Sequence, residues 1–261
     1  MSEGGILQVV NVCKAFGGVQ ALSNVSINAE EGEIFGIIGP NGSGKTTLIN
    51  CITGFIKMDS GRVLYRTKDI TNRAPDHIAN LGITRTFQIM RPYYSLPAYK
   101  NLIIPLFSPR ARRTGGWRGG GKLGDRGAVS IDILEEIGFE RDSFVPYKLA
   151  SSLPTGYLKR LELARCLALR PEIILCDEVF SGLSMSEIAS MVPLIERLQM
   201  SGITLIMVEH RLRELFSVAN RVMVLNFGQK LVEGNPEEVM KDERVKEAYL
   251  GSEKVLDYTF R

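Results

Sequence analysis

The chain has 261 residues, a net charge of +3 and 44% apolar residues, a composition that suits a globular protein with an ordinary core. No window approaches 18 uncharged apolar residues, so no spanning helix is expected, and the N-terminal MSEGGILQVV lacks the basic and apolar regions of a secretory leader. Cys13, Cys51, Cys166 and Cys176 are scattered without CxxC spacing, the pattern of reduced thiols rather than of a disulfide framework or a zinc site.

In chain order, Ile6–Val12, Val25–Ala29 and Glu33–Ile38 read as strands, with turns at Gly17-Gly18 and Glu31-Gly32. The third strand leads into GPNGSGKTT, Gly39 to Thr47. A helix is expected to open over Thr47–Thr53. Strand, glycine-rich loop and helix start together form a phosphate cradle. Asn41, Gly42, Ser43 and Gly44 supply the loop, and Lys45 carries a charge to the β and γ phosphates. The Thr46 hydroxyl is placed for Mg²⁺, with Thr47 beside it. The residues therefore point to a bound nucleoside triphosphate.

Further along, Arg62–Tyr65 and Ile83–Phe87 read as strands around a short helix at Pro75–Leu81. Residues 97–106 and 129–138 read as helical. Between them, 108–127 hold five Arg, one Lys, one Asp and seven Gly, a local charge of +5 without apolar periodicity, expected as a mobile surface loop. From Tyr157, Leu158, Leu161, Ala164 and Ala168 recur at helical spacing until Pro171. A strand Glu172–Cys176, a helix Met185–Leu198 and strands Ile203–Val208 and Val222–Leu225 follow. Such alternation implies a parallel sheet wrapped by helices.

Two strand ends carry the remaining chemistry. IILCDE places Asp177 and Glu178 at the carboxyl edge of the sheet, where ligands of open α/β sheets bind. Asp177 suits a Mg²⁺ shell and Glu178 an attacking water. Thirty-three residues after Asp177, LIMVEH brings Glu209 and His210 to the same edge. Gln88 follows its strand in TRTFQ. His77, on an exposed helix face, is assigned no role.

In this order and at these spacings, the elements resemble the ATPase subunit of ABC transporters over nearly the whole chain. The resemblance implies an α/β phosphate-loop NTPase with a RecA-like parallel-sheet core, an N-terminal antiparallel β subdomain and an inserted helical subdomain. It implies one ABC ATPase domain over 1–261: core and β subdomain at about 1–88 and 160–235, helical subdomain at about 89–159, and a C-terminal helical tail at 236–261. ATP and Mg²⁺ are the implied ligands. Phe16 would stack on adenine, Gln88 would sense Mg²⁺ and the γ-phosphate, His210 would contact the γ-phosphate, and Glu178 would be the catalytic carboxylate.

The family's signature loop, usually LSGGQ, corresponds to LPTGY from Leu153, so Pro154, Thr155 and Gly156 would face a partner's nucleotide. Only Leu153 and Gly156 of the five positions are kept. Pro154 lacks a hydroxyl and an N–H, yet the helix start still offers an anion site through free N–H groups and its dipole. Val179 and Ser184 replace the usual proline and aspartate of the next loop. Two readings of these departures stand: subfamily drift, or an asymmetric heterodimer whose partner supplies the intact signature.

Within the family the likeness is to ATPases of branched-chain amino-acid importers, carried by RTFQIMRPYYSLPAYKNL, LELARCLALRPEIILCDE and VEGNPEEVMKDERVKEAYLG. That likeness implies a second, different ATPase subunit, two membrane permease subunits and an extracytoplasmic solute-binding protein. It also implies a cytoplasmic chain, peripheral on the inner face of the plasma membrane. The aromatic, proline-rich Ile89–Tyr99 is either a groove for a membrane-subunit helix or a solvated loop. The basic segment around Trp117 is open to three readings: a disordered insertion, a contact with anionic lipid, or a nucleic-acid contact, for which one aromatic is a meagre platform; no nucleic-acid partner is expected. The alternatives are a non-transport ABC ATPase, against which the 108 residues between Lys45 and Leu153 leave no sustained heptads, and a weakly hydrolysing regulatory subunit. An ATPase of an exporter is a further alternative.

Overall fold

The computed structural model describes residues 5–113 and 125–250. Its first sheet is built from long strands with register shifts: β1 (Leu7–Phe16) and β2 (Val19–Ala29) form a hairpin, and β1 also pairs with β4 (Ser60–Tyr65), which pairs with β5 (Lys68–Asp69). All of these pairings are antiparallel, in the order β2-β1-β4-β5.

The second sheet contains β3 (Ile34–Ile38), β6 (Ile83–Arg85), β7 (Ile173–Asp177), β8 (Thr204–Val208), β9 (Arg221–Asn226) and β10 (Gln229–Gly234), ordered β10-β9-β3-β8-β7-β6. Five strands run parallel and β10 closes one edge antiparallel to β9. Every residue of β3, β7 and β8 is buried, as a sheet covered on both faces requires. The two-residue period of a strand splits these side chains between two cores. Ile34, Ile38, Ile174 and Leu205 face a helical layer. Phe35, Ile37, Leu175 and Ile206 face the antiparallel sheet.

The helices are α1 (Lys45–Ile52), α2 (Pro75–Leu81), α3 (Ile103–Leu106), α4 (Pro109–Arg113), α5 (Arg126–Glu136), α6 (Thr155–Ala168), α7 (Met185–Met200), α8 (Leu212–Val218), α9 (Pro236–Lys241) and α10 (Glu243–Leu250). None of the described helices is long and apolar enough to cross a membrane.

Two local differences from the sequence reading have physical causes. The α1 helix starts at Lys45, two residues before the expected Thr47, because Gly44 caps it in the left-handed region at φ 103°. Strand β6 ends at Arg85 rather than Phe87: after Thr86, whose N–H still reaches the Leu175 carbonyl at 2.9 Å, the chain leaves the sheet. That departure carries Gln88 toward Glu178.

The basic segment is a further correction. Residues 114–124, with Trp117, lie outside the described residues, but the flanks are built structure rather than mobile loop. Pro109–Arg113 is helical, and Arg110 donates to the carbonyls of Arg170 (2.7 Å) and Leu81 (2.6 Å) and to Glu172 (2.9 Å). At the other flank the Arg126 guanidinium lies 3.8 Å from the Phe107 ring centre. Arginine here is used for its fork of donors and its flat face, not only for its charge.

Candidate active site

The loop after β3 is shaped by backbone that only glycine accepts. A Cβ on Gly44 would stand 2.5 Å from the Ala21 carbonyl oxygen, so the loop packs directly on β2. Lys45 is buried, and its ammonium donates to the carbonyls of Gly39 (2.8 Å) and Pro40 (3.0 Å). Burial lowers its pKa, and the Glu178 and Asp177 charges oppose that shift. Thr46 is exposed on the first turn of α1, with Asn41 and Gly42 exposed in the loop and Ser43 buried; Thr47 is half-buried. A cavity of about 820 Å³ opens over Gly39–Ser43 and is bordered by His210, Asn226, Phe227 and Tyr249.

At the end of β7 the structure brings two separately read residues onto one carboxylate, that of Glu178. The Gln88 amide donates to Glu178 Oε2 at 3.1 Å, and His210 Nε2 lies 3.1 Å from Glu178 Oε1. Glu178 itself sits at φ 55°, a strained conformation for a non-glycine residue. The turn is pinned by the Glu178 N–H on the Val208 carbonyl (2.9 Å). Its carbonyl accepts from the Lys159 ammonium at 2.7 Å. Lys159, on α6, is buried, and burial lowers its pKa against the pull of the Glu209, Glu178 and Asp177 charges. Glu209 accepts from the Phe180 N–H at 3.1 Å. Burial pushes its carboxyl up to about 8, although those backbone donors and Lys159 favour the charged form.

Asp177 is buried as deeply as Glu209. Burial raises its pKa, the Arg85 charge holds it down, and the Glu178 charge raises it again. One oxygen, Oδ2, accepts from Arg85 at 3.0 Å. The other, Oδ1, is buried without a hydrogen-bond partner. An orphaned buried oxygen is costly unless something completes it, and a hard divalent cation takes this kind of donor. The orphaned oxygen of Asp177 therefore fits Mg²⁺, which Thr46 and Gln88 would help to hold. Among the described residues, no group of three or more His, Cys, Asp and Glu side chains gathers as a metal cluster of another kind.

Phe16 is placed differently. It lies at the end of β1, exposed, with the Lys14 ammonium 5.3 Å from its ring centre. At the start of α6, Pro154 and Thr155 are exposed and Gly156 is buried. Pro154 caps the helix without a side-chain hydrogen bond. The sequence reading expects an anion site at this helix start, and the structure brings the Glu187 carboxylate close beside Gly156. Glu187 reaches this point because Ser184 and Glu187 form a capping box at the start of α7. A Cβ on Gly156 would stand 2.5 Å from Glu187 Oε1.

Sequence reasoning missed Arg85, Lys159 and Glu187. The first two are buried cations whose partners come from distant segments, and only those spatial partners reveal them. For Glu187 the spacing from Ser184 was a readable capping signal.

A phosphate loop on one strand, with acids ending another strand two places away in the same parallel sheet, defines a nucleotide-hydrolysing α/β protein. Residues 22–181 match the ABC transporter family, and residues 229–255 match the family described as branched-chain amino acid ATP-binding cassette transporter. The chain is 34% identical to the high-affinity branched-chain amino acid transport ATP-binding protein LivG of Salmonella typhimurium, over 94% of this chain and 98% of that one. It is 32% identical to BraF of Pseudomonas aeruginosa, a protein of the same description, over 94% and 98%. The crystal structure of a nucleotide-free ATP-binding cassette from an ABC transporter superposes with a TM-score of 0.82 at 34% identity, covering 94% of this chain and 98% of that one. The crystal structure of an ATP-binding cassette in its ADP conformation also gives 0.82 at 34% identity, over 95% and 99%. The chain belongs to the ATP-binding subunits of the ABC transporter family.

Proposed function

We propose that this chain hydrolyses ATP to drive import of branched-chain amino acids or similar small polar solutes. The observation that carries the hydrolytic part is the Glu178 carboxylate held on one oxygen by Gln88 and on the other by His210, both at 3.1 Å. A carboxylate fixed in this way is oriented to take a proton from an attacking water. Lys45 and the N–H groups of Asn41–Thr47 would carry the phosphates, and Phe16 would meet the base. Thr46, Gln88 and Asp177 would hold Mg²⁺, which would supply positive charge against the phosphates. The cargo is supported by the descriptions of the relatives and by the family match at the C-terminal end.

The reading includes partners: a second ATPase subunit, two membrane permease subunits and an extracytoplasmic solute-binding protein. Association with the cytoplasmic face of the membrane, the stretch Ile89–Tyr99 as a receiving surface, and division into a core with β subdomain, a helical subdomain at about 89–159 and a tail at 236–261 belong to the same proposal. The second subunit is taken to be a different chain. Pro154 and Tyr157 replace the serine and glutamine of the usual signature, and a Glu187 carboxylate beside Gly156 would disfavour a second anion there.

The test is retention of ATP. A Glu178→Gln variant keeps the size and shape of the side chain but turns one acceptor oxygen into a donor and removes its basicity. Wild-type chain incubated with MgATP and a subunit carrying an intact signature should turn over ATP ~100-fold or more faster than the variant, while both bind ATP equally. Equal turnover by the two would remove Glu178 from the chemistry.

A further inference from the structure

We propose that Arg85 is the positioning residue that fixes Asp177 for Mg²⁺, and that it does so from the wall of an adjacent cavity. The inference rests on the reading of Asp177 as a Mg²⁺ ligand. Its basis is the number of groups that one guanidinium joins. From one nitrogen, Arg85 donates to Asp177 Oδ2 at 3.0 Å, with 7% and 1% of the two side chains exposed. From the other it donates to Asn50 Oδ1 at 2.6 Å and to the Thr53 hydroxyl at 3.3 Å. Asn50 lies in, and Thr53 caps, the helix that Lys45 and Thr46 open. Arg85 thus ties the acid at the end of β7 to the helix that follows the phosphate loop.

The pairing has a directional consequence. A carboxylate with one oxygen pinned loses its freedom to turn, so Oδ1, the oxygen without a partner, faces one fixed way. Single-oxygen ligation by a carboxylate whose second oxygen is hydrogen-bonded is the usual way outer groups orient a metal ligand.

The guanidinium is in turn held by aromatic faces. Its centre lies 4.7 Å from the Phe87 ring and 5.3 Å from the Phe55 ring, and those rings meet edge to face at 5.6 Å. Both rings and Arg85 line a cavity of about 200 Å³ that also meets Glu162, Arg165 and Cys166. The Cys166 thiol donates to the Arg85 carbonyl at 3.2 Å. Whatever moves Phe55 or Phe87 moves the guanidinium, and with it the carboxylate.

Lysine at position 85 would keep the charge but could not reach Asn50 and Asp177 together. Calorimetric titration of ATP into the full chain, with Mg²⁺ and separately with EDTA, separates the metal-dependent part of binding. For Arg85→Lys the expected result is a ~10-fold weaker affinity with Mg²⁺ and an unchanged affinity in EDTA. Phe87→Leu, which leaves the ion pair intact and removes a stacking face, should give a smaller loss of the same kind and serves if Arg85→Lys does not fold. Equal losses with and without Mg²⁺ would reduce Arg85 to a structural role, and so would no loss in a folded variant. If wild-type affinity itself were unaffected by Mg²⁺, the assignment of Asp177 would fall, not only that of Arg85.

Discussion

Lys159 shows how one side chain can hold several acids of a site together. Its ammonium bonds the Glu178 carbonyl at 2.7 Å and lies within the field of Glu209, Glu178 and Asp177. Replacing it by methionine keeps the length and apolar stem but leaves a buried carbonyl unpaired and removes the shared positive charge. Lys159→Met should lower stability by about 2–4 kcal/mol and slow hydrolysis by ~10-fold or more, because a misplaced Glu178 costs rate even when it is present. Urea unfolding beside steady-state turnover checks both; full activity in the variant would show that the Glu178 turn needs no such support. The roles of Lys159 and Arg85 were not legible in the chain for the same reason. Lys159 stands beside Leu158 and Arg160 in what reads as a mixed helical face, and Arg85 lies 92 residues from Asp177. Glycine loops and strand-end acids announce themselves locally, whereas a buried ion pair is a property of two distant segments.

At the scale of elements, the α4 helix is fastened to the start of β7 by one acid. Glu172 accepts from Arg66 at 2.7 Å and Arg110 at 2.9 Å. Burial alone would raise its pKa, but hydrogen bonds from Tyr65, Arg66 and Arg110 hold the carboxyl down at about 2, against 4.5 for an ordinary glutamate. A depressed acid stabilises the native state above the unfolded pKa and loses that contribution as pH falls through the folded one. With solvent screening of this part-exposed cluster, we expect about 1–2 kcal/mol, present at about pH 6 and gone near pH 2. The difference in unfolding free energy between wild type and Glu172→Gln should shrink over that interval. A difference independent of pH would mean that hydrogen bonding, not charge, holds α4.

Most element types were readable from period and punctuation: the buried strands, the α6 stripe, and α2, which runs Pro75–Leu81 as expected. The reading missed β10, whose QKLVEG lacks a clear alternation. The hairpin that forms it turns on Phe227 (φ 44°) and Gly228 (φ 73°), a pair with positive φ at both central positions, as a tight two-residue turn demands. The helical reading of 97–106 divides into a 3-10 turn over Tyr99–Leu102 and a short helix.

For the whole molecule, the two ends of the catalytic apparatus are unequal. The nucleotide half-site is built from this chain's own sheet edge, with Glu178 oriented on both oxygens and Asp177 presenting one. Under the proposed function, the surface offered to another subunit has Pro154 in place of a hydroxyl and the Glu187 carboxylate beside Gly156. Such a chain should hydrolyse ATP poorly as a pair of identical copies and well beside a subunit with an intact signature. The measurement that decides this is ATP turnover in mixtures of two variants of the chain itself. One is the wild type. The other carries Pro154→Ser, Thr155→Gly and Tyr157→Gln to restore the family pattern, together with Lys45→Ala to silence its own phosphate loop. We predict little turnover from either alone and ~10-fold or more from the mixture, a gain of about 1.4 kcal/mol or more at the barrier. Wild-type chain that turned over ATP as fast alone as in the mixture would contradict the account.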